Sequence, residues 1–534
     1  MRLMLMLCLL CLADLARADE PDLATIARIL DEGMNRSEIP QTAAYLTDRI
    51  GGRITNSPAM RAAERWTQAQ YRQWGLRNVR AEGFEFGRGW SQEKLHVRMV
   101  EPRPLELRAI ALAWTPGTQG TVTAPIIVAP MKRERDFAQH TGKLRGKIVL
   151  VSRPTAGSEP GEPVFSRYTD EDLARKEPYQ QPAFSESQLR QSLEGSRFDS
   201  QRDAFLAAEG ALAMVVESSD DGGVLHGEGY GYRVGMTPKV PGIELAAEDY
   251  RRLARLGKTG APPTLEITSV VRYHDEDTKA YNILAEIPGR DLRAGYVMAG
   301  AHLDSWAAAD GAQDNAAGVA AVMEAGRILS KLGLEPRRTI RLALWSAEEQ
   351  VMGGSMAYVE KYLADRPPVT DPQLQKASVY EAWDTRWPIT LKPGAKDLVA
   401  YFNVDNGSGK VRGIFTEGNL AIVPIFQSWL EPFASLGANR VVTQHTWGTD
   451  HVFLRQVGVP AFQFIQDPLD YNTRIHHTSN DTYDHLRIDD LRQVAVILAS
   501  MLWMAAERTE PLPRGAVERK PVDADPFAYP EEEE

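Results

Sequence analysis

Apolar residues recur every three or four positions over 23–34, 41–46 and 59–74, the last placing Ala63, Trp66, Ala69 and Tyr71 together, and this spacing predicts helices. The sequence GGRITNSPAM breaks the pattern between the second and third. Strands are predicted at 79–86 and 95–100, and Arg103-Pro104 then opens a different region. From about 110 to 273, short apolar runs at 126–128, 147–151, 213–216 and 265–271 are interspersed with helical spacing at 188–193, 201–209 and 247–256. Pro- and Gly-rich loops separate them, which predicts a self-contained α+β unit. From 280 the pattern changes again. Apolar strands at 283–287, 296–301, 340–345, 399–404 and 461–465 alternate with helices at 316–332, 355–363, 421–436 and 490–506. Strands that apolar are buried on both sides, so the expected fold is α/β: a mostly parallel central sheet covered by helices on both faces.

The simplest organisation is one α/β domain interrupted by an insertion. Its parts are 1–18, a signal peptide; 19–109, the first part of the α/β domain; 110–275, the inserted α+β domain; 276–510, the remainder; and 511–534, a flexible acidic tail ending in four glutamates. The signal is expected because Arg2 precedes an apolar run over 3–12 and Ala16-Arg17-Ala18 offers a small-x-small cleavage pattern. It implies export, periplasmic or extracellular. No membrane span is expected, since no apolar run reaches the ~18–20 residues a bilayer requires. Both cysteines, Cys8 and Cys11, fall inside the signal, so the mature chain has no disulfide, thiol nucleophile or thiolate metal site. A net charge of −11 without a basic run argues against nucleic acid as a partner.

Candidate chemistry collects just past predicted strands. His302, Asp304 and Asp314 follow the strand at 296–301, Glu348 and Glu349 the one at 340–345, and Asp405 the one at 399–404. His476 and His477 come after 461–465, with Asp450 and His451 shortly before it. Each has an ordinary alternative: a core histidine beside an aspartate, acids favoured by a helix start, an Asp-Asn-Gly turn. Four strands each delivering an acid or histidine past the carboxyl end, however, point to one cleft, where open α/β sheets collect ligands. A set of His, Asp, Asp, Glu and His without sulfur suits two zinc ions sharing one carboxylate, with Mn2+ or Co2+ as substitutes. A serine hydrolase is disfavoured because no Gly-x-Ser-x-Gly follows a strand.

The segments AHLDSW, GAQDNAAG, SAEEQ, NVDNG, GTDH and HHTSND, in this order, resemble the motifs of metallopeptidase family twenty-eight, the di-zinc aminopeptidases and their relatives such as carboxypeptidase Q. The inserted region, with LRGKIVLV and VPGIELAAEDYRRL, resembles the protease-associated domain often inserted in that family. The resemblance implies an exopeptidase acting on short peptides or dipeptides. It makes His302 and Asp405 ligands of one metal, Glu349 and His477 of the other, and Asp314 the bridge. Glu348 becomes the general base and Asp304 the acid behind His302. Asp450, His451 and His476 would lie next to substrate. A cis peptide bond is implied after Asp314. A glutaminyl cyclase-like zinc enzyme and a non-catalytic receptor-like module are the alternatives on this fold. A homodimer remains open.

Overall fold

The computed structural model describes residues 21–157, 163–178, 186–229, 237–372, 374–376 and 379–520. The expected signal peptide and the end of the expected tail, 521–534, lie outside them. No helix among the described residues is long and apolar enough to cross a membrane.

The strands are, in chain order, β1 (Arg77–Glu85), β2 (Gly89–Glu101), β3 (Leu105–Glu106), β4 (Ala109–Ala111), β5 (Thr121–Val128), β6 (Ile148–Leu150), β7 (Ala213–Glu217), β8 (Gly242–Leu245) and β9 (Thr264–His274). There follow β10 (Lys279–Ile287), β11 (Tyr296–His302), β12 (Thr339–Trp345), the short pair β13 (Ala364–Asp365) and β14 (Thr390–Leu391), then β15 (Leu398–Asn403), β16 (Val411–Phe415), β17 (Arg440–Val442) and β18 (Ala461–Gln466). They build two eight-stranded sheets, ordered β1-β10-β12-β11-β15-β18-β16-β17 and β3-β2-β9-β5-β6-β7-β8-β4.

The first sheet is mixed, which corrects the expectation of a mostly parallel one. β12, β11, β15 and β18 run parallel at its centre, while β1 and β10 on one side and β16 on the other join antiparallel. The centre is where both faces are covered. Helices Leu23–Asn35, Ala317–Lys331 and Ile488–Glu507 cover one face and Gly353–Tyr362 and His451–Gln456 the other. Every residue of β15 and β18 is buried, as continuous apolar strands between two helical layers should be. Ile488–Glu507 is buried nearly all round because it packs along Ala317–Lys331 and Leu23–Asn35 at once.

The second sheet begins earlier than expected. β2 pairs with β9 along most of its length, from Gly89↔His274 to Glu101↔Thr264. The boundary placed at 109/110 therefore moves back to the turn before Gly89. The helical pieces expected at 188–193 and 201–209 form one helix, Glu186–Glu209. Nor is the whole of 511–534 a loose tail: Leu512 is buried, Arg514 donates to the Leu398 carbonyl at 3.0 Å and Glu518 pairs with Arg455 at 2.7 Å.

Candidate metal centre

β11 ends in His302, which is buried at the edge of the cleft. Its Nδ1 lies 3.0 Å from the backbone carbonyl of Asp304, an acceptor that fixes the proton on Nδ1 and leaves Nε2 as the outward lone pair. That Nε2 is 3.1 Å from Asp314 and 3.3 Å from Asp405. The Asp304 carboxylate stands behind His302 at 4.0 Å from Nδ1, beyond hydrogen-bond reach. Its two oxygens accept the backbone N–H groups of Glu348 at 3.2 Å and Glu349 at 3.1 Å. Asp304 thus orients the histidine through its carbonyl and the two glutamates through its side chain.

The loop between His302 and Asp314 is held from outside. Arg53, fully buried, donates to the carbonyls of Leu303 (2.7 Å), Leu46 (3.3 Å), Gly51 (3.0 Å), Asp310 (2.7 Å) and Gly311 (2.8 Å). Asp481 accepts the N–H of Gln313 at 2.6 Å and of Asp314 at 3.0 Å, setting the backbone from which the Asp314 carboxylate projects. The peptide bond Asp314–Asn315 is cis. The following helix can start so close to β15 because residue 318 is glycine: a Cβ there would lie 2.3 Å from the Val404 carbonyl.

Beyond β12 the chain turns sharply at Ala347 (φ 61°) into the short helix Glu348–Val351. Glu349 reaches His477, whose Nε2 is 2.9 Å from it and 3.4 Å from Asp314. His476, stacked on His477 with ring centres 3.6 Å apart, is half-exposed and 3.7 Å from Asp314. The geometry thus brings together His302, Asp314 and Asp405 as one group, and on the other side of Asp314 places His477 in contact with both Asp314 and Glu349. Asp450 and His451 are both buried, and His451 Nε2 meets Thr446 Oγ1 at 2.9 Å.

Like charge is concentrated here. Burial, then the charges of Asp405 and Asp450, push the Glu348 carboxyl well above its usual range, His302 pulling the other way. Burial and Asp314 raise Glu349 likewise. His302 and His477 would be lowered by burial, but the surrounding carboxylates raise both. Such a group of desolvated acids and imidazoles suits divalent cations. His302, Asp314 and Asp405 each offer a ligand atom within 4.8 Å of the others, as do Asp314, His476 and His477. With oxygen and imidazole donors only, the set fits a borderline ion such as zinc.

A cavity of about 570 Å³ opens over these residues. Met352, Trp447, Tyr471 and Gln463 line it from the first unit, and Tyr168 and Lys176 from the segment between β6 and β7. Residues 282–502 match the sequence profile of Peptidase family M28. These residues are an M28 peptidase domain. The chain is a metallopeptidase similar to carboxypeptidase Q of Homo sapiens, with 26% identity over 489 residues, 91% of this chain and 88% of the human one. An M28 peptidase precursor from Shewanella amazonensis shares its fold, with a TM-score of 0.62, 22% identity and coverage of 92% and 98%. So does BSAP, a zinc aminopeptidase from Bacillus subtilis, with a TM-score of 0.53, 18% identity and coverage of 86% and 92%.

In this M28 peptidase, sequence reasoning missed Arg53 and Glu228. The first sat in a stretch that merely interrupted a helix pattern. The second comes from the other unit, its carboxylate 2.6 Å from His477 Nδ1, and no local pattern marks it. Asp481 closes the segment HHTSND, but nothing local marks it as the residue that holds the Asp314 backbone.

Proposed function

We propose that the protein is an exported di-zinc exopeptidase that hydrolyses short peptides, dipeptides among them. The observation that carries this is the shared Asp314, with His302 and Asp405 on one side and Glu349 and His477 on the other. Bound there, two divalent ions would polarise the scissile carbonyl and lower the pKa of an attacking water. Glu348 lines the cavity beside these groups, and burial has raised its affinity for a proton. It takes the proton of the water and passes it to the departing amine. Asp304 keeps it in register through the N–H groups of Glu348 and Glu349.

Substrate choice follows from the wall. Lys176 is the one lysine or arginine lining the cavity among the described residues, its Nζ resting 4.7 Å from the centre of the Tyr168 ring. It is suited to a substrate's free carboxylate, which favours dipeptidase or carboxypeptidase action over removal of residues from long chains. The unit bearing Lys176 corresponds to the protease-associated domain that its sequence resembles.

The test is product identification after incubating zinc-loaded protein with free dipeptides, longer peptides, and N-acetylated and C-amidated forms. Free dipeptides should be split, and C-amidation should slow the reaction. Hydrolysis of none of them, or cyclisation of amino-terminal glutamine instead, would overturn the proposal.

A further inference from the structure

The two histidines of the centre are oriented by different means. His302 donates Nδ1–H to a carbonyl two residues along its own loop, whereas His477 donates it to the Glu228 carboxylate, in the turn between β7 and β8 of the second sheet. We propose that Glu228 is a positioning residue for His477, so that one of two metal positions is completed only when the second unit is seated. This rests on the assignment of His477 as a ligand made above.

The turn carrying Glu228 is built to present it. Glu244, buried on β8, accepts the N–H groups of His226 at 2.9 Å and Gly227 at 2.7 Å. Gly227 has φ +67°, a conformation that favours glycine, and its carbonyl accepts the N–H of Ala113, just past β4, at 3.2 Å. A Cβ on Gly229 would lie 2.3 Å from the Ala113 carbonyl. Glu228 stands between these two fixed points. The turn is also clasped to the histidine loop itself: Ser479 N–H donates to the Leu225 carbonyl at 2.7 Å, and Leu225 N–H to Ser479 Oγ at 3.2 Å. Two residues from that clasp, His477 adopts a left-handed backbone (φ 58°) that directs its ring between Glu228 on one side and Glu349 with Asp314 on the other.

A carboxylate on Nδ1–H holds the tautomer in which Nε2 is free to bind an ion, and makes that nitrogen a stronger donor. It comes from another unit of the chain, so displacement of that unit would withdraw it while leaving His302, Asp314 and Asp405 in place.

The test is a zinc titration of metal-free full-length protein against a chromophoric chelator, comparing wild type with Glu228→Ala and Glu228→Gln. Far-ultraviolet circular dichroism checks the fold of each; the glutamine variant, isosteric at a half-exposed position, provides a second reading should the alanine variant unfold. One of two binding steps should weaken about 10- to 100-fold in Glu228→Ala and less in Glu228→Gln, whose amide oxygen still accepts a hydrogen bond. The other step should stay within about twofold, which a general loosening of the protein would not allow. Unchanged affinities, or equal weakening of both steps, would overturn the proposal. Should wild type bind a single ion, the two-ion function fails by itself; weakening of that ion in the folded variants would still support Glu228, and its indifference would overturn it.

Discussion

Replacing Arg53 with methionine removes five hydrogen bonds, three of them to the loop that carries His302 to Asp314, and the structure says how much that should cost. Of the five carbonyls, those of Leu46 and Gly311 also accept backbone N–H groups, from Gly51 and Ala316, at 3.1 Å each. The carbonyls of Leu303, Gly51 and Asp310 take no other backbone hydrogen bond among the described residues, so Arg53→Met leaves three acceptors without a donor. A buried polar group left unpaired costs about 1–3 kcal/mol; the Leu303 carbonyl carries that in full and the part-buried ones of Gly51 and Asp310 only the low end, giving roughly 3–5 kcal/mol in total. Burying the guanidinium has its own desolvation cost, which methionine abolishes, so the lower end, about 3 kcal/mol, is the expected loss. Against the ~5–15 kcal/mol of a typical domain this is large. Urea unfolding of metal-free wild type and variant measures the difference, and bound zinc measured on both shows whether the loop still presents its ligands. Arg53→Lys, with three donors in place of five, should fall between them. A methionine variant within ~0.5 kcal/mol of wild type and with full metal content would refute the assignment, since that is the range of surface changes.

Glu348→Gln should retain both metals and lose about 100- to 10,000-fold in kcat, whereas Glu349→Gln should weaken metal binding; metal content and kcat of the purified variants check both, and metal loss from the first would reverse the roles. Lys176→Met should raise KM for free dipeptides, lowering kcat/KM about 10- to 100-fold while leaving C-amidated peptides unaffected. Equal effects on both substrates would remove Lys176 as the carboxylate contact. Export predicts a mature amino terminus at Asp19, and sequencing of secreted protein that still begins at Met1 would reject it.

What was legible in the sequence depended on range. β11, β12, β15 and β18 could be read because burial on both faces leaves continuous apolar runs, and the ligand candidates because each stands just beyond such a run. β16 and β17 escaped notice: at five and three residues, with Arg412 and Gly413 in one and Arg440 opening the other, neither has the length or pattern of a strand without its partner. β2 was visible as a strand but not as part of the second sheet, because only pairing with β9, far away in sequence, decides that. The apparent break before 201 held Gly195-Ser196, residues that more often end a helix than continue one. At the site the same limit applied to Arg53, Asp481 and Glu228, each of which acts on the site through a loop more than 150 residues away.

The second sheet leaves and re-enters the first at one point. Glu85 on β1 and Lys279 on β10 are direct partners in an antiparallel ladder, and Thr278 accepts from the N–H groups of both Phe86 and Gly87. Neighbouring strand ends of that kind are what a two-residue hairpin turn joins. The chain thus departs at Glu85 and returns at Lys279 on adjacent strand ends, and that is where a replacement for the second unit would be joined. A replacement would inherit obligations from the host: something apolar to cover Phe415, Val442 and Ile465 where Leu173 now packs, and a negative charge delivered to His477. Grafts that meet the first condition alone would fold over the cleft, and they would leave that histidine without the partner that aims it.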